Sequence, residues 1–165
     1  MLALKLPPFD REATLGEALA AAHAITNKWD RCRALAVLAP QLTPALLDGA
    51  LNAILAIPDK GVCAWGLAAL APHLPPELLA EALAAARAIT CEVARSFTLA
   101  ALAPHLTRAD QSTVVCEVFD CIPFLDRATA LERLTVLVRC IVETDGISAL
   151  RETRRAIIDV SRWYP

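Results

Sequence analysis

Apolar residues in this chain recur with two periods at once. Within short stretches they fall at helical spacing: Leu79, Leu83, Ala86 and Ile89 are separated by 4, 3 and 3 residues, the pattern of one helix face. Over longer distances the same stretches return every 32 residues, most visibly as Leu38-Ala39-Pro40, Leu70-Ala71-Pro72 and Leu102-Ala103-Pro104. Six apolar columns keep this register. They are Leu35, Leu67, Leu99 and Leu131; Leu38, Leu70, Leu102 and Leu134; Leu42, Leu74, Leu106 and Val138; Leu15, Leu47 and Leu79; Leu19, Leu51, Leu83 and Val115; and Ile25, Ile57, Ile89 and Cys121. A fixed period of this length is the mark of a stacked supersecondary unit.

Each unit reads as two helices. The first opens on a proline or an acidic residue, as in Pro44-Ala-Leu-Leu-Asp48 and Pro76-Glu-Leu-Leu-Ala80, where proline suits the first turn and a carboxylate suits the helix dipole. A break follows at Thr26-Asn27, Pro58-Asp59 or Thr90, and the second helix then runs to Leu-Ala-Pro. There the missing N–H and the restriction on the preceding residue end or kink it. The pattern predicts helix pairs at about 12–40, 44–72, 76–104 and 108–138, then a terminal helix at about 146–163. In the fourth unit Val136 replaces the proline, as expected where an end unit loses a neighbour, and Arg151-Glu152-Thr153-Arg154-Arg155 supplies the polar face of a cap. The predicted fold is all-α. It is one short α-solenoid spanning 1–165, with units at about 12–43, 44–75, 76–107 and 108–140, leucine at the seam and alanines such as Ala36, Ala68, Ala100, Ala39, Ala71 and Ala103 at the close approaches.

Composition agrees: of 165 residues, 33 are alanine and 26 leucine against 5 glycines, which favours helix. The net charge of −2, from 16 basic and 18 acidic residues, provides no broad positive field, so nucleic acid is not expected as a partner. Mean hydropathy is +0.47, yet prolines and charges interrupt every apolar run before the ~20 residues a bilayer span requires. The start, Met1 to Pro8, lacks a signal-peptide pattern, and a cytosolic protein is expected. Cys32, Cys63, Cys91, Cys116, Cys121 and Cys140 include neither C-x-x-C nor zinc-spaced cysteine–histidine pairs, and fall mostly among apolar helix residues. They read as buried, reduced thiols.

No catalytic constellation stands out. His73 and His105 are repeat equivalents in Pro-His-Leu segments, where a polar ring can bond free carbonyls at a helix end. His23 stands alone among Leu55, Arg87 and Phe119 in its column, a variable and exposed position. The chain has no G-x-S-x-G, no glycine-rich phosphate loop and no H-E-x-x-H, and acids such as Glu77, Glu81, Glu92, Asp110 and Glu117 read as a solvated face. The expectation is a protein that is not an enzyme, with no metal and no cofactor.

The positions that differ between units are more informative. On a helical wheel, position 33 lies ~160° from Leu35, opposite the apolar seam. That column holds Arg33, Trp65, Phe97 and Thr129, one side chain per unit about 10 Å apart, and the next turn adds Val37, Ala69, Ala101 and Arg133. Trp65 and Phe97, flanked by Arg33 and Arg133, form the candidate partner-binding row, since aromatics and arginine dominate binding hot spots. The competing reading makes both rings filler between units. Trp29 reads as packing at the start of a second helix, and Trp163-Tyr164-Pro165 as a clamp on the terminal helix. Arg31, Arg95 and Arg127 share a column near the seam, positioned to reach past it to carboxylates.

The segment Leu67-Ala-Ala-Leu-Ala-Pro-His-Leu-Pro-Pro-Glu-Leu-Leu-Ala-Glu-Ala-Leu-Ala-Ala-Ala-Arg-Ala-Ile89 resembles HEAT-like helical repeats of large bacterial proteins, and Ile158-Asp-Val-Ser-Arg-Trp-Tyr-Pro165 resembles the end of such arrays. The resemblance spans about 12–165. Arrays of this kind accompany NACHT or NB-ARC-type signalling NTPases and effector domains, so it implies a non-catalytic sensor or scaffold that binds a protein in bacterial signalling or defence. These 165 residues include no NTPase or effector domain, which fits either a sensor fragment or a stand-alone adaptor. The alternative is a small-molecule or nucleic-acid binder, or a HEAT-like enzyme, using the concave groove, with Arg31, Arg33, Arg95, Arg127 and Arg133 as a local basic stripe.

Overall fold

The computed structural model describes residues 8–163, and every regular element within them is helical. The helices are α1 (Pro8–His23), α2 (Lys28–Leu38), α3 (Pro44–Leu55), α4 (Lys60–Leu70), α5 (Pro76–Arg87), α6 (Glu92–Leu102), α7 (Arg108–Cys121) and α8 (Arg127–Trp163). The reading of the segment before Pro8 and the clamp formed by Trp163-Tyr164-Pro165, including the Trp163 side chain, lie outside the described residues.

Local chemistry explains the boundaries. Pro44 and Pro76 open α3 and α5, where the proline nitrogen needs no partner. Asn27 and Asp59 cap α2 and α4: Asn27 Oδ1 accepts from the backbone N–H of Trp29 at 2.9 Å and Asp30 at 3.2 Å, and Asp59 Oδ1 from those of Gly61 at 2.9 Å and Val62 at 3.1 Å. The Leu-Ala-Pro segments end α2, α4 and α6 at the leucine, and the chain tightens into short 3-10 turns at Ala39–Gln41, Ala71–His73 and Ala103–His105. Inside α8, Gly146 has φ 78° and ψ −179°, a conformation essentially confined to glycine, and it divides the helix near where the terminal helix is expected to start.

The even-numbered helices lie side by side, with α4 between α2 and α6 and α8 beyond α6. Helix α1 packs on α2 and α3, α3 on α4 and α5, α5 on α6, and α7 on α6 and α8. Leu35, Leu51, Ile54, Leu67, Leu70, Leu99 and Leu102 are fully buried where these helices meet, each worth ~1.5–3 kcal/mol of apolar burial. Ala39, Ala71 and Ala103 are buried too, in the turns that follow the helices. A close approach of α4 to α2 and α3 occurs at Gly66: a Cβ there would lie 2.4 Å from Cys32 Sγ and 2.9 Å from Ile54 Cγ2. One turn of sequence repeat later Thr98 takes the corresponding place, its Oγ1 donating to the Ala64 carbonyl at 3.4 Å across to α4 and to Ala94 at 2.9 Å within α6.

Three features differ from the sequence reading. Helices α2, α4 and α6 start 32 residues apart, but α8 starts 35 residues after α6, because α7 has 14 residues where α3 and α5 have 12, and a 3-10 turn at Ile122–Phe124 precedes Asp126. The seam therefore receives Leu134, Leu137 and Ile141, whereas Leu131 (45% exposed) and Val138, assigned to it by strict counting, face outward. Cysteine burial is also incomplete: Cys32, Cys63, Cys121 and Cys140 are buried and Cys91 and Cys116 exposed. Finally, neither His73 nor His105 makes a side-chain hydrogen bond to a helix-end carbonyl. The proline between Ala and His has no N–H to give, and the leucine after the 3-10 turn closes it instead, Leu42 N–H donating to Ala39 O and Leu106 N–H to Ala103 O, both at 3.2 Å.

Candidate interaction surface

The starts of the even-numbered helices align the residues that follow them. On α2, Trp29, Arg33 and Val37 are spaced by four and all exposed, Trp29 by 54% and Val37 by 69%. The same face of α4 presents Gly61, Trp65 and Ala69, and that of α6 presents Val93, Phe97 and Ala101, with Val93 exposed and both rings half-buried. With the three-residue offset of α8, the corresponding set there is Ala128, Glu132 and Val136, all exposed.

The rings bridge neighbouring helices. Trp29 and Trp65 approach with centroids 6.0 Å apart and planes tilted by 58°, a geometry favourable to aromatic pairs. Trp29 is thus part of the surface rather than buried packing. At the other end the Arg133 guanidinium sits 4.9 Å from the centre of the Phe97 ring, a cation–π contact between α8 and α6. Arg133 is only 7% exposed, its Nη1 lies 3.4 Å from a carboxylate oxygen of Glu132, and its buried Nε has no hydrogen-bond partner.

The five residues of the predicted row thus separate. Arg33 lies exposed on α2, Trp65 and Phe97 are half-buried on adjacent helices, and Arg133 is drawn under the surface against Phe97. Thr129 belongs to the start of α8: its N–H donates to Asp126 Oδ1 at 3.0 Å and its hydroxyl to Asp126 Oδ2 at 2.6 Å, so Glu132 holds the place of position 33. These bonds hold the Asp126 carboxyl below its ordinary range, the Thr129 hydroxyl contributing most. The missed residues were Trp29, Val93, Glu132 and Val136. Asp126 was the available signal, because an Asx side chain before an apolar-periodic run marks a helix start, as Asn27 and Asp59 do.

A second feature lies among α5, α6 and α7, a cleft of about 210 Å³ lined by Arg87, Arg95, Glu117 and Asp120. Arg87 Nε donates to both Glu117 oxygens at 3.0 and 3.1 Å, and this bond raises its affinity for the proton. Arg95 pairs with Glu92 and donates to Ile89 O at 3.2 Å, the role expected for a seam arginine, whereas Arg127 starts α8 and is exposed. Cys121 Sγ donates to the Glu117 carbonyl at 3.3 Å, and burial pushes its thiol up despite the nearby Arg95. Each cation here already has an acidic or carbonyl partner, so the arrangement ties three helices together and leaves the thiol protonated.

Elsewhere Cys32 is pushed up to about 11, chiefly by burial, so its thiolate is scarce at neutral pH. His105 is lowered by burial and by neighbouring His73, which favours the neutral ring. Among the described residues no group of three His, Cys, Asp or Glu is arranged to hold a metal ion, and no helix is long and apolar enough to cross a membrane. No family model, no curated protein and no solved structure matches the chain.

Proposed function

We propose that the chain is a short α-solenoid of HEAT-like two-helix repeats that works as a non-catalytic protein-interaction module, presenting the exposed face of α2, α4, α6 and α8 to a partner. One observation carries this reading. Among the described residues, every exposed large apolar side chain belongs to an even-numbered helix, with Phe124 in a turn the single exception. An array needs only its buried columns for stability, so the four of these side chains that share one face, Trp29, Val37, Val93 and Val136, favour a binding role for that face. The helix starts at Lys28, Lys60 and Glu92, 32 residues apart, support the repeat reading. A setting in cytoplasmic bacterial signalling or defence rests on the resemblance of the 67–89 segment.

The test is capture of native partners by the tagged full chain, with Val37→Glu and Trp65→Ala as variants. Val37 is exposed and makes a safe change. The proposal expects both variants to lose the partner while the Val37→Glu helical melting curve stays within a few degrees of the parent. Retention of the same partner at the same affinity by both folded variants would overturn it.

A further inference from the structure

Helices α2, α4, α6 and α8 stack in order, so each inner one turns one side to the helix before it and another to the helix after it. Two contacts fix the register. Gly66 on α4 lies against Cys32 Sγ on α2, and Thr98 Oγ1 on α6 donates to Ala64 O on α4, each residue meeting the one 34 positions earlier. The side turned forward carries Cys32, Ala64, Ser96 and, with the three-residue offset of α8, Leu131; the first three are buried and Leu131 is 45% exposed. The side turned back carries Ala34, Gly66, Thr98 and Arg133, of which only Ala34 is not buried. One turn earlier on that side, Asp30 is exposed where Val62 is buried and Ala94 half-buried. The forward side of α8 and the back side of α2 are thus the two halves of a contact that the chain makes three times internally, each half uncovered.

From this we infer that a second copy of the chain closes this contact head to tail, the forward side of α8 in one copy stacking on the back side of α2 in the next. Carried across, the internal register sets Leu131 against Ala34, a large side chain against a small one, and Arg127 against Asp30, both exposed. Inside the chain the pairs corresponding to the second are Lys28 with Val62, Lys60 with Ala94 and Glu92 with Thr129, so opposite charges meet only where two copies would join. Arg33 comes opposite Ala130 and meets no like charge. Val138, exposed seven residues beyond Leu131, extends the apolar strip. Burying that strip supplies affinity, and the Arg127–Asp30 pair fixes register and direction. Leu131 and Arg127 lie ~100° and ~140° round α8 from Glu132, so this contact is separate from the face proposed above and does not depend on it. Two different surfaces join, which makes the assembly a filament or a closed ring. A symmetric α8-to-α8 dimer fits less well, because it leaves Asp30 and Ala34 uncovered.

Sedimentation velocity of the full chain over a range of concentrations tests this. The sedimentation coefficient is expected to rise with concentration and fall with added salt, and Leu131→Glu, Arg127→Glu and Asp30→Lys should each weaken association about tenfold or more. Mixing decides the pairing. Arg127→Glu and Asp30→Lys chains, each weakened alone, should associate again when combined, because every junction then opposes unlike charges, and the chain carrying both changes should associate by itself. Recovery on mixing also shows that the loss in each single variant is not misfolding. A monomer at every concentration, or no recovery on mixing, overturns the inference. So does association that Leu131→Glu abolishes and Asp30→Lys leaves unchanged, the result for an α8-to-α8 dimer. Association lost in Trp65→Ala but kept in all three variants above overturns it as well, since the copies would then pair through the aromatic face.

Discussion

The guanidinium of Arg133 on α8 lies 4.9 Å from the centre of the Phe97 ring on α6, almost wholly withdrawn from solvent. The contact joins the helix that follows the offset in spacing to its neighbour. A buried charge with an unpartnered Nε costs desolvation, while the ring face and Glu132 return part of it. Arg133→Met, which keeps the volume and removes the charge, should leave stability to urea unchanged or raised, within about 1 kcal/mol. Arg133→Ala should lower it by about 2 kcal/mol through lost packing against Phe97. An Arg133→Met variant as unstable as Arg133→Ala would show that the charge itself holds α8 in place.

Two glycines should respond to alanine with opposite signs. Gly66 has Cys32 Sγ and Ile54 Cγ2 inside the distance a Cβ can tolerate, so Gly66→Ala should cost about 1–3 kcal/mol despite alanine's better helix propensity. Gly16, within α1, has nothing within 4 Å of an added Cβ, and Gly16→Ala should gain about 0.5–1 kcal/mol. Thermal melts of the two single variants decide this. A stabilised Gly66→Ala variant would mean that α2 and α4 pack less closely than described.

Cys91 stands at the N-cap of α6 with no side-chain hydrogen bond, where Asn27 and Asp59 cap the corresponding helices. Cys91→Asp should stabilise the protein by about 1 kcal/mol, and Asp59→Ala should destabilise it by a similar amount. Denaturation midpoints at neutral pH measure both. Because the gain requires a charged or hydrogen-bonding oxygen, Cys91→Ala serves as the control that should show no gain.

Thiol accessibility supplies a readout of the fold. Cys91 and Cys116 should react with a disulfide reagent in the native protein, whereas Cys32, Cys63, Cys121 and Cys140 should react only at the rate of opening. Cys32, pushed up to about 11, stays almost wholly protonated between pH 7 and 9 and should remain unlabelled in the native protein over that range. Mass mapping of the labelled sites checks the order, and fast modification of Cys32 in native buffer would contradict its burial.

Helical class, the proline starts of α3 and α5, the ends at Leu38, Leu70 and Leu102, and the buried columns through Leu35, Leu67 and Leu99 were legible in the sequence, because each depends on interactions within about one turn. The candidate face was legible on α2, α4 and α6, where Arg33, Trp65 and Phe97 keep a common spacing. It was misplaced on α8. Counting by 32 cannot register the longer α7, although the Asp126 cap marks the shift.

By itself, then, the sequence determined that these segments are helical and which face of each helix before α8 is apolar, since backbone restrictions and helical periodicity are local. Tertiary structure decided which side chains meet across helices: Trp29 with Trp65, Phe97 with Arg133, and Gly66 with Cys32. Those relations depend on the rotation of each helix about its axis and on the length of the connection before it. Three extra residues ahead of α8 are enough to turn Leu131 outward, bring Leu137 to the seam and draw Arg133 beneath the surface.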